Sequence, residues 1–560
     1  MKKYLALLLA LCMVFALAAC GGDSKEPEPT SNLSEKLGEQ DIQKEMQEGP
    51  EQEETYTRDR VVLAWNSVTS LSPWGTRNST PGNYEVYEML YECDANGEMY
   101  PLLADATYNG NFMPGCDHEK GTGVYTVKIY DYIKDHKGRP VTAHDVAYSY
   151  MYQLNNESTS GWKDNLLNVE AEDDTTVVFT FAQDQTNVGQ LLNILCRCFI
   201  VNEESHKESA SALANEMIGT GPYKFKSYTS GSELILERNE DYWQTNKELR
   251  RQEQQANVET IVYKFIDEAS QKVIGLKTGE IDFAAVMSAK DIEPFLDGGE
   301  FADRFNVFTY PQKFVFNLAP NCSDQSIMGD INMRLAVFNA IDQDALVAAL
   351  GGTDTRIYSY ASAYYSDFDW VDYKSMDNYN TRTSVDPDVV KGYLEKAGYK
   401  GEKVILLSTN SLTDATNVIE GMLLAQGINV EAKILDDPSA NALLADPAGW
   451  DIMVGMMAGD YNVTVWQHGF SYGNTPTGDR TMYHLIDDEW EDLLNLCISE
   501  DGHTPENMKA WWEHCVENAY AMGLYTSNAH DILPEDMTYY VRGDKLTPLT
   551  GASTYAAPKA

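Results

Sequence analysis

The chain has 560 residues, 43% of them hydrophobic, and a formal net charge of −44 from 42 Lys and Arg against 86 Asp and Glu. A charge of that sign repels nucleic acid and anionic membrane surfaces, and the length exceeds what one hydrophobic core supports, so two or more lobes are expected. After the first twenty residues no apolar stretch approaches the roughly eighteen that a spanning helix needs.

Lys2 and Lys3, the apolar run Tyr4 to Leu17 and the sequence Leu17-Ala18-Ala19-Cys20-Gly21 read as a secretory segment closed by a lipobox. Residues 1–19 are then a signal peptide, and Cys20 carries a diacylglycerol whose two acyl chains anchor the protein to the outer face of the cell membrane. Residues 20–57 are Gly, Ser, Pro, Glu and Gln with almost no aliphatic side chains, a composition that cannot offset its ordering entropy, so an acidic disordered linker is expected.

Hydrophobic patterning begins at Val61 to Trp65 and runs almost to the C-terminus. Alternating β-branched and aromatic residues predict strands at Val61 to Trp65, Tyr125 to Tyr130, Thr176 to Phe181, Tyr223 to Tyr228, Glu233 to Glu237 and Ile261 to Phe265. Apolar residues at helical spacing predict helices at Thr142 to Leu154, Glu268 to Thr278, Ile331 to Leu350, Asp388 to Ala397 and Asp488 to Cys497. Thr142 is a candidate N-cap, and Gly398 a C-cap. Gly138, Gly219 and Gly221 are expected to supply turn angles that other residues resist. The fold class is mixed α/β, and no period of 20 to 50 residues indicates a solenoid or propeller.

Cysteine is sparse and irregularly spaced, so no disulfide framework can be read. Cys196-Arg197-Cys198 admits a metal or redox role, but buried small residues are the preferred reading. Cys116-Asp117-His118-Glu119 reads as an exposed polar loop. No nucleophile elbow, zinc-protease helix, phosphate loop or dinucleotide fingerprint occurs, and carboxylates are too abundant for any one pair to mean acid–base catalysis. The expectation is a binding protein without cofactor or metal, and not an enzyme.

Five stretches stand out: Asn96-Gly97-Glu98-Met99-Tyr100-Pro101-Leu102-Leu103-Ala104; Thr126 to Ile129 with Asp135-His136-Lys137-Gly138-Arg139-Pro140-Val141-Thr142-Ala143-His144-Asp145-Val146; Gly219-Thr220-Gly221-Pro222-Tyr223 with Glu237-Arg238-Asn239; Lys277-Thr278-Gly279-Glu280-Ile281-Asp282; and Met333-Arg334-Leu335-Ala336 to Ala340-Ile341-Asp342. Together they resemble the peptide-binding type of ABC-importer solute-binding proteins. They occur in family order between about residues 61 and 530.

The resemblance implies a two-lobed periplasmic-binding-protein-like fold with an inserted subdomain in the first lobe, closing by hinge motion on its solute. The first lobe is placed at 58–80, 215–305 and 525–560, the insertion at 81–214 and the second lobe at 306–524, with hinge crossings near Phe305 to Tyr310 and Gly523 to His530. It also implies that the segment Trp450 to Asn462 ends in the family's Asp-Tyr pair, so that Asp460 receives a ligand ammonium; a turn or capping role for this Asp stays open. Tyr461, Asn462, Trp466 and Met457 complete the candidate ligand-binding set, while Tyr358, Tyr360, Tyr364, Tyr365, Phe368 and Trp370 divide between core and cleft. Where typical oligopeptide binders carry an Arg and a Trp on that strand, this chain has Val454 and Met457, which removes the expected carboxylate anchor. The implied partners are a peptide or other small solute, an ABC permease and membrane lipid through Cys20, with no nucleic acid and a monomeric state. An oligosaccharide or metal chelate is the alternative cargo, and an exported hydrolase the alternative class.

Overall fold

The computed structural model describes residues 58–535 except 75–79, 94–98, 157–165, 183–190, 192–193, 252–253, 257, 312–313, 353, 358–383, 459–483, 486 and 500. The strands in chain order are β1 Arg58–Trp65, β2 Tyr91–Cys93, β3 Met99–Pro101, β4 Cys116–Glu119, β5 Val124–Lys128, β6 Leu166–Asp173, β7 Thr176–Phe181, β8 Tyr223–Thr229, β9 Glu233–Arg238, β10 Val258–Phe265, β11 Phe283–Met287, β12 Phe305–Pro311, β13 Phe314–Pro320, β14 Thr355–Arg356, β15 Val404–Thr409, β16 Val430–Leu435, β17 Ile452–Ala458, β18 Met522–Thr526 and β19 Asn528–Pro534.

Two large mixed sheets organise the molecule. One has seven strands in the order β12-β19-β11-β1-β10-β9-β8, the other six in the order β14-β18-β13-β17-β15-β16. A separate antiparallel sheet, β4-β5-β7-β6, is built from residues between β1 and β8. Its alternation is that of a half-covered sheet. Tyr125 and Val127 on β5, with Val177, Phe179 and Phe181 on β7, face the helix Ala143–Asn156 and share a core with Tyr150, Ile194 and Leu195.

The six-stranded sheet has a separate core on each face. One side packs Leu318, Leu406, Ile452 and Val454 against the helices Ile331–Asn339 and Thr413–Ala425. The other stacks Trp450, Trp490, Trp511 and Trp512 over Ala319 and Leu407, with two tryptophans supplied by the helix Pro505–Glu517. Each such buried aromatic removes enough apolar surface to contribute roughly 1.5–3 kcal/mol.

All six predicted strands form, within one to three residues of their predicted limits. The helices do so as well, with one division. The stretch read as a single helix from Ile331 to Leu350 is two, Ile331–Asn339 and Gln343–Ala349, because the Asp342 side chain accepts from the Ala345 N–H and starts a new helix. Thr142 stands where an N-cap was expected, but its N–H and hydroxyl both donate to the Asp145 carboxylate, the reverse half of a capping box. Cys116 to Glu119 is not a loop: it is β4, paired with β5, and the His118 ring stacks on Tyr125 at 4.0 Å. Cys196 and Cys198 lie in the core beside Tyr150, as buried small residues. Among the described residues no group of His, Cys, Asp and Glu could hold a metal ion, and no helix is long and apolar enough to cross a membrane.

The glycines divide into two kinds. Gly138 has φ 81°, so it supplies the expected turn angle. Gly219 and Gly221 have no such angle and are small for another reason. A Cβ on Gly219 would lie 2.0 Å from the Val86 carbonyl oxygen, and one on Gly221 2.4 Å from that of Glu85. Here two backbones touch.

Candidate functional site

Strand direction fixes where a solute can sit. In the seven-stranded sheet β1 is parallel to β10 and β11, β19 is antiparallel to β11, and β12 is antiparallel to β19. The carboxyl ends of β1, β10, β11 and β12 therefore lie on one side. From there the chain passes from Pro311 at the end of β12 into β13, and between β18 and β19 it returns through Ser527. Because β13 is antiparallel to β17, and β17 and β16 are parallel to β15, the carboxyl ends of β15, β16 and β17 lie on that same crossing side. Open α/β sheets bind ligands in the crevice outside the carboxyl ends of their strands. Both sheets offer those ends at the crossings.

On the first sheet this edge is a pinned polar loop. The Ser67 N–H and hydroxyl donate to the two Asp267 oxygens at 2.7 and 2.9 Å, the Lys272 ammonium donates to Asn66 Oδ1 at 2.9 Å, and the Tyr228 hydroxyl donates to the Val68 carbonyl at 2.9 Å. The hydrogen bonds from Ser67 hold the Asp267 carboxyl below its usual range. Partial burial lowers the Lys272 pKa, against the attraction of Asp267. At the return crossing burial raises the Asp354 carboxyl, although the Asn528 N–H and the Ser527 side chain bond to it. Nearby, on β12 and β19, the Thr309 hydroxyl lies 2.8 Å from His530 Nδ1, and burial lowers this histidine's pKa.

On the second sheet, β13 and its two neighbours carry apolar side chains. Phe316 on β13 stacks on Tyr525 of β18 at 4.5 Å, and Met456, opposite Phe316 on β17, is half exposed. Val454, which stands where an Arg was looked for, is 1% exposed in the core with Leu318. It presents nothing to a ligand carboxylate. A shallow cavity of about 560 Å³ lined by Cys322, Asp324, Ser326, Ile327, Gly329 and Asp330 lies beyond the opposite end of β13, away from the crossings.

Of the predicted site residues, Met457 is on β17, where its backbone pairs with Val315 of β13. Asp460, Tyr461, Asn462 and Trp466 lie outside the described residues, as do Cys20 and the aromatic residues from Tyr358 to Trp370. In the sequence Asp460 comes just after Ala458, the last residue of β17, and so follows one of the carboxyl ends on the crossing side. Sequence reasoning missed Asn66, Ser67, Asp267 and Lys272. Asn66, Ser67 and Asp267 follow predicted strands and Lys272 lies in the helix Ala269–Thr278, so the grouping becomes readable only when β1 and β10 are known to be parallel neighbours.

The family model of the bacterial extracellular solute-binding proteins, family 5, matches residues 98–485. The chain belongs to that family. Among relatives of this solute-binding protein, the oligopeptide-binding protein AppA of Bacillus subtilis is 24% identical over 454 residues, 74% of this chain and 78% of that one. A protein of Brucella ovis described as a putative ABC transporter peptide-binding protein is also 24% identical, over 58% of this chain and 60% of its own length. In structure, the substrate-binding protein CtaP of Listeria monocytogenes matches with a TM-score of 0.71 at 17% identity, covering 90% of this chain and 100% of that one. B. subtilis AppA in complex with a nonapeptide matches at 0.67 and 19%, covering 90% and 100%. These likenesses establish the two-lobed periplasmic-binding-protein fold.

Proposed function

We propose that this solute-binding protein is the extracytoplasmic receptor of an ABC importer and captures a peptide or peptide-like solute between its lobes. The observation that carries the reading is the coincidence of family membership with geometry. The one acidic residue singled out from the sequence as an amine receptor, Asp460, directly follows β17, whose carboxyl end is on the side where solutes bind in such sheets. The names of the AppA and Brucella relatives favour a peptide. NikZ of Campylobacter jejuni in complex with Ni(L-His) has the same fold at a TM-score of 0.67, so the fold alone does not choose the cargo.

In this reading the seven-stranded sheet with β12 and β19 is the core of one lobe, β4 to β7 belong to its insertion, and the six-stranded sheet is the core of the other. The hinge lies at the passage from β12 to β13 and at Ser527 between β18 and β19; the stretch Phe305 to Tyr310, where the first crossing was expected, is β12 itself, paired with β19. Asp460 meets the solute's ammonium, with Tyr461, Asn462, Trp466 and Met457 around it. The pinned loop at Asn66 and Ser67 forms the facing wall. The protein acts as a monomer without cofactor or catalysis, Cys20 holds it at the membrane, and a permease receives its cargo.

Native mass spectrometry of the purified protein identifies any retained solute. In calorimetry Asp460→Ala is expected to weaken peptide binding by about 2 to 5 kcal/mol, the cost of stranding one partner of a buried charge pair. An N-acetylated peptide is expected to bind the unaltered protein about as poorly. Equal peptide affinity with and without the Asp460 carboxylate rejects the peptide reading. For the anchor, Cys20→Ser is expected to move the protein from the membrane to the soluble fraction; membrane retention of the variant rejects lipidation.

A further inference from the structure

Lys272 is a cation at the polar edge described above, and its bonding is incomplete. It lies near the start of the helix Ala269–Thr278, which follows β10, and its ammonium reaches across to Asn66, the residue directly after β1, donating to Oδ1 at 2.9 Å. The ammonium therefore stands over the carboxyl ends of two parallel neighbours, on the side where both sheets present such ends to the crossings. An ammonium has three N–H donors, and here one is used. Lys264, next to the last residue of β10, is spent on Glu280, whereas Lys272 forms no ion pair among the described residues. Asp267 attracts it, but both Asp267 oxygens already accept from Ser67, at 2.7 and 2.9 Å.

Its partner has donors to spare as well. Lysine only donates, so the atom of Asn66 turned toward it is the amide oxygen, and Nδ2 makes no hydrogen bond among the described residues. Asn66 and Ser67 are exposed, so a solute reaches these donors without displacing any core side chain. The loop itself is held from elsewhere, by Ser67 on Asp267, by the Tyr228 hydroxyl on the Val68 carbonyl at 2.9 Å and by the Leu71 N–H on the Ala214 carbonyl at 2.8 Å. Donors on a fixed loop need little ordering when a ligand arrives. Partial burial lowers the Lys272 pKa, so water solvates this charge incompletely, and an anion would restore what burial has removed. In a chain of formal net charge −44, an anion is held only where a particular cation offsets the general repulsion.

We propose that Lys272 and Asn66 together bind the terminal carboxylate of the solute, the ammonium and the amide Nδ2 each donating to it. Two donors side by side match the two oxygens of a carboxylate, and the charged one makes the stronger bond. The carboxylate anchor that Val454 does not provide is then supplied from the other sheet. The inference rests on the peptide reading and deepens it: one edge holds the solute's carboxylate, while Asp460, after β17 on the other, meets its ammonium. A zwitterionic peptide engages both edges at once, and a solute lacking either charge leaves one of them idle.

The test is calorimetry of wild type, Lys272→Gln and Asn66→Asp with a pool of tri- to pentapeptides of Gly, Ala and Leu, either free or amidated at the C-terminus, together with the melting temperature of each protein without peptide. Wild type is expected to bind the free pool about ten-fold more tightly than the amidated one, the discrimination expected of a charged hydrogen bond. Lys272→Gln is expected to bind both pools equally, at the wild type's affinity for the amidated pool. A lysine that only braces the loop gives a different pattern, a lower melting temperature with an undiminished preference for the free carboxylate, and that result overturns the proposal. Asn66→Asp guards against a Lys272→Gln protein that does not fold. It keeps a partner for the ammonium, so the melting temperature is expected to hold or rise, while the new carboxylate occupies the site and abolishes the preference for the free pool. A retained preference in Asn66→Asp overturns the proposal too. If wild type binds neither pool, the peptide reading fails and the assignment of Lys272 and Asn66 falls with it; if wild type binds both pools equally well, peptides are the cargo and only the assignment falls.

Discussion

The clasp that joins the insertion to the seven-stranded sheet and the edge where the two sheets face the crossings are built on opposite terms. In the clasp, His136 and Glu88 are tightly engaged. The His136 N–H donates to the Gly219 carbonyl at 2.9 Å, its ring Nε2 lies 2.9 Å from the Gly221 carbonyl, and the Gly219 N–H approaches ring Nδ1 at 3.4 Å. Those partners fit a neutral ring with its proton on Nε2. Glu88 accepts from the Tyr242 hydroxyl at 2.5 Å and from Trp243 Nε1 and Gln254 Nε2 at 2.7 Å each, and burial raises its pKa. At the crossing edge, polar groups such as Ser67 and Asp267 sit in exposed loops. The difference is between a joint in which several donors converge on one buried group and an edge whose hydrogen bonds are made in exposed loops.

That contrast can be broken most sharply at Gly219. Because its Cβ would meet backbone that cannot turn aside, Gly219→Ala is expected to cost at least about 3 kcal/mol in denaturant unfolding. A loss well under 1 kcal/mol would mean that the clasp yields and is no rigid joint. A smaller effect comes from acid. Burial lowers the His136 pKa to about 4, while in the unfolded chain the ring titrates near its usual 6.5. Between those values the unfolded chain binds a proton that the folded one refuses, so stability is complete above about pH 6.5 and falls as pH drops toward 4. The loss is at most about 3 kcal/mol. His136→Gln, which keeps a donor for Gly221, should flatten the stability-versus-pH curve in that window; identical slopes in variant and wild type would remove His136 as the cause. At the crossing edge the expected effect is smallest. Ser67→Ala deletes an exposed hydrogen bond to Asp267, and the unfolding midpoint should not move measurably. A clear drop there would show that the edge bears structural load after all.

The division also explains what could be read from the sequence. Strands such as Thr176–Phe181 were legible because one face is buried and the alternation is local, and the helix Pro387–Lys396 because Asp388 after Pro387 and Gly398 lie near its ends; its N-cap, Asp386, was not singled out. Three features were misread for want of tertiary context. The break at Asp342 hides within a continuous apolar period, the polar letters of Cys116 to Glu119 conceal a strand ordered by its pairing with β5, and Gly219 looks like a turn glycine until Val86 is seen against it. The site was the least legible part. Asn66 and Lys272 are about two hundred residues apart and meet only because β1 and β10 are adjacent and parallel. Pairing of distant strands is not written in any local window.

The chain passes between its two sheets twice, from β12 into β13 and from β18 into β19, and on both sides the crossing strands are neighbours, β12 beside β19 and β13 beside β18. Two short links side by side act mechanically as two pins of a door. A single link would let one lobe swivel in every direction, whereas two define one axis and leave one easy rotation. Opening and shutting about the proposed hinge then breaks no ladder hydrogen bond in either sheet. If the lobes close as proposed, the stroke is set by connectivity, and the solute has only to tip the balance between two positions of the same rotation.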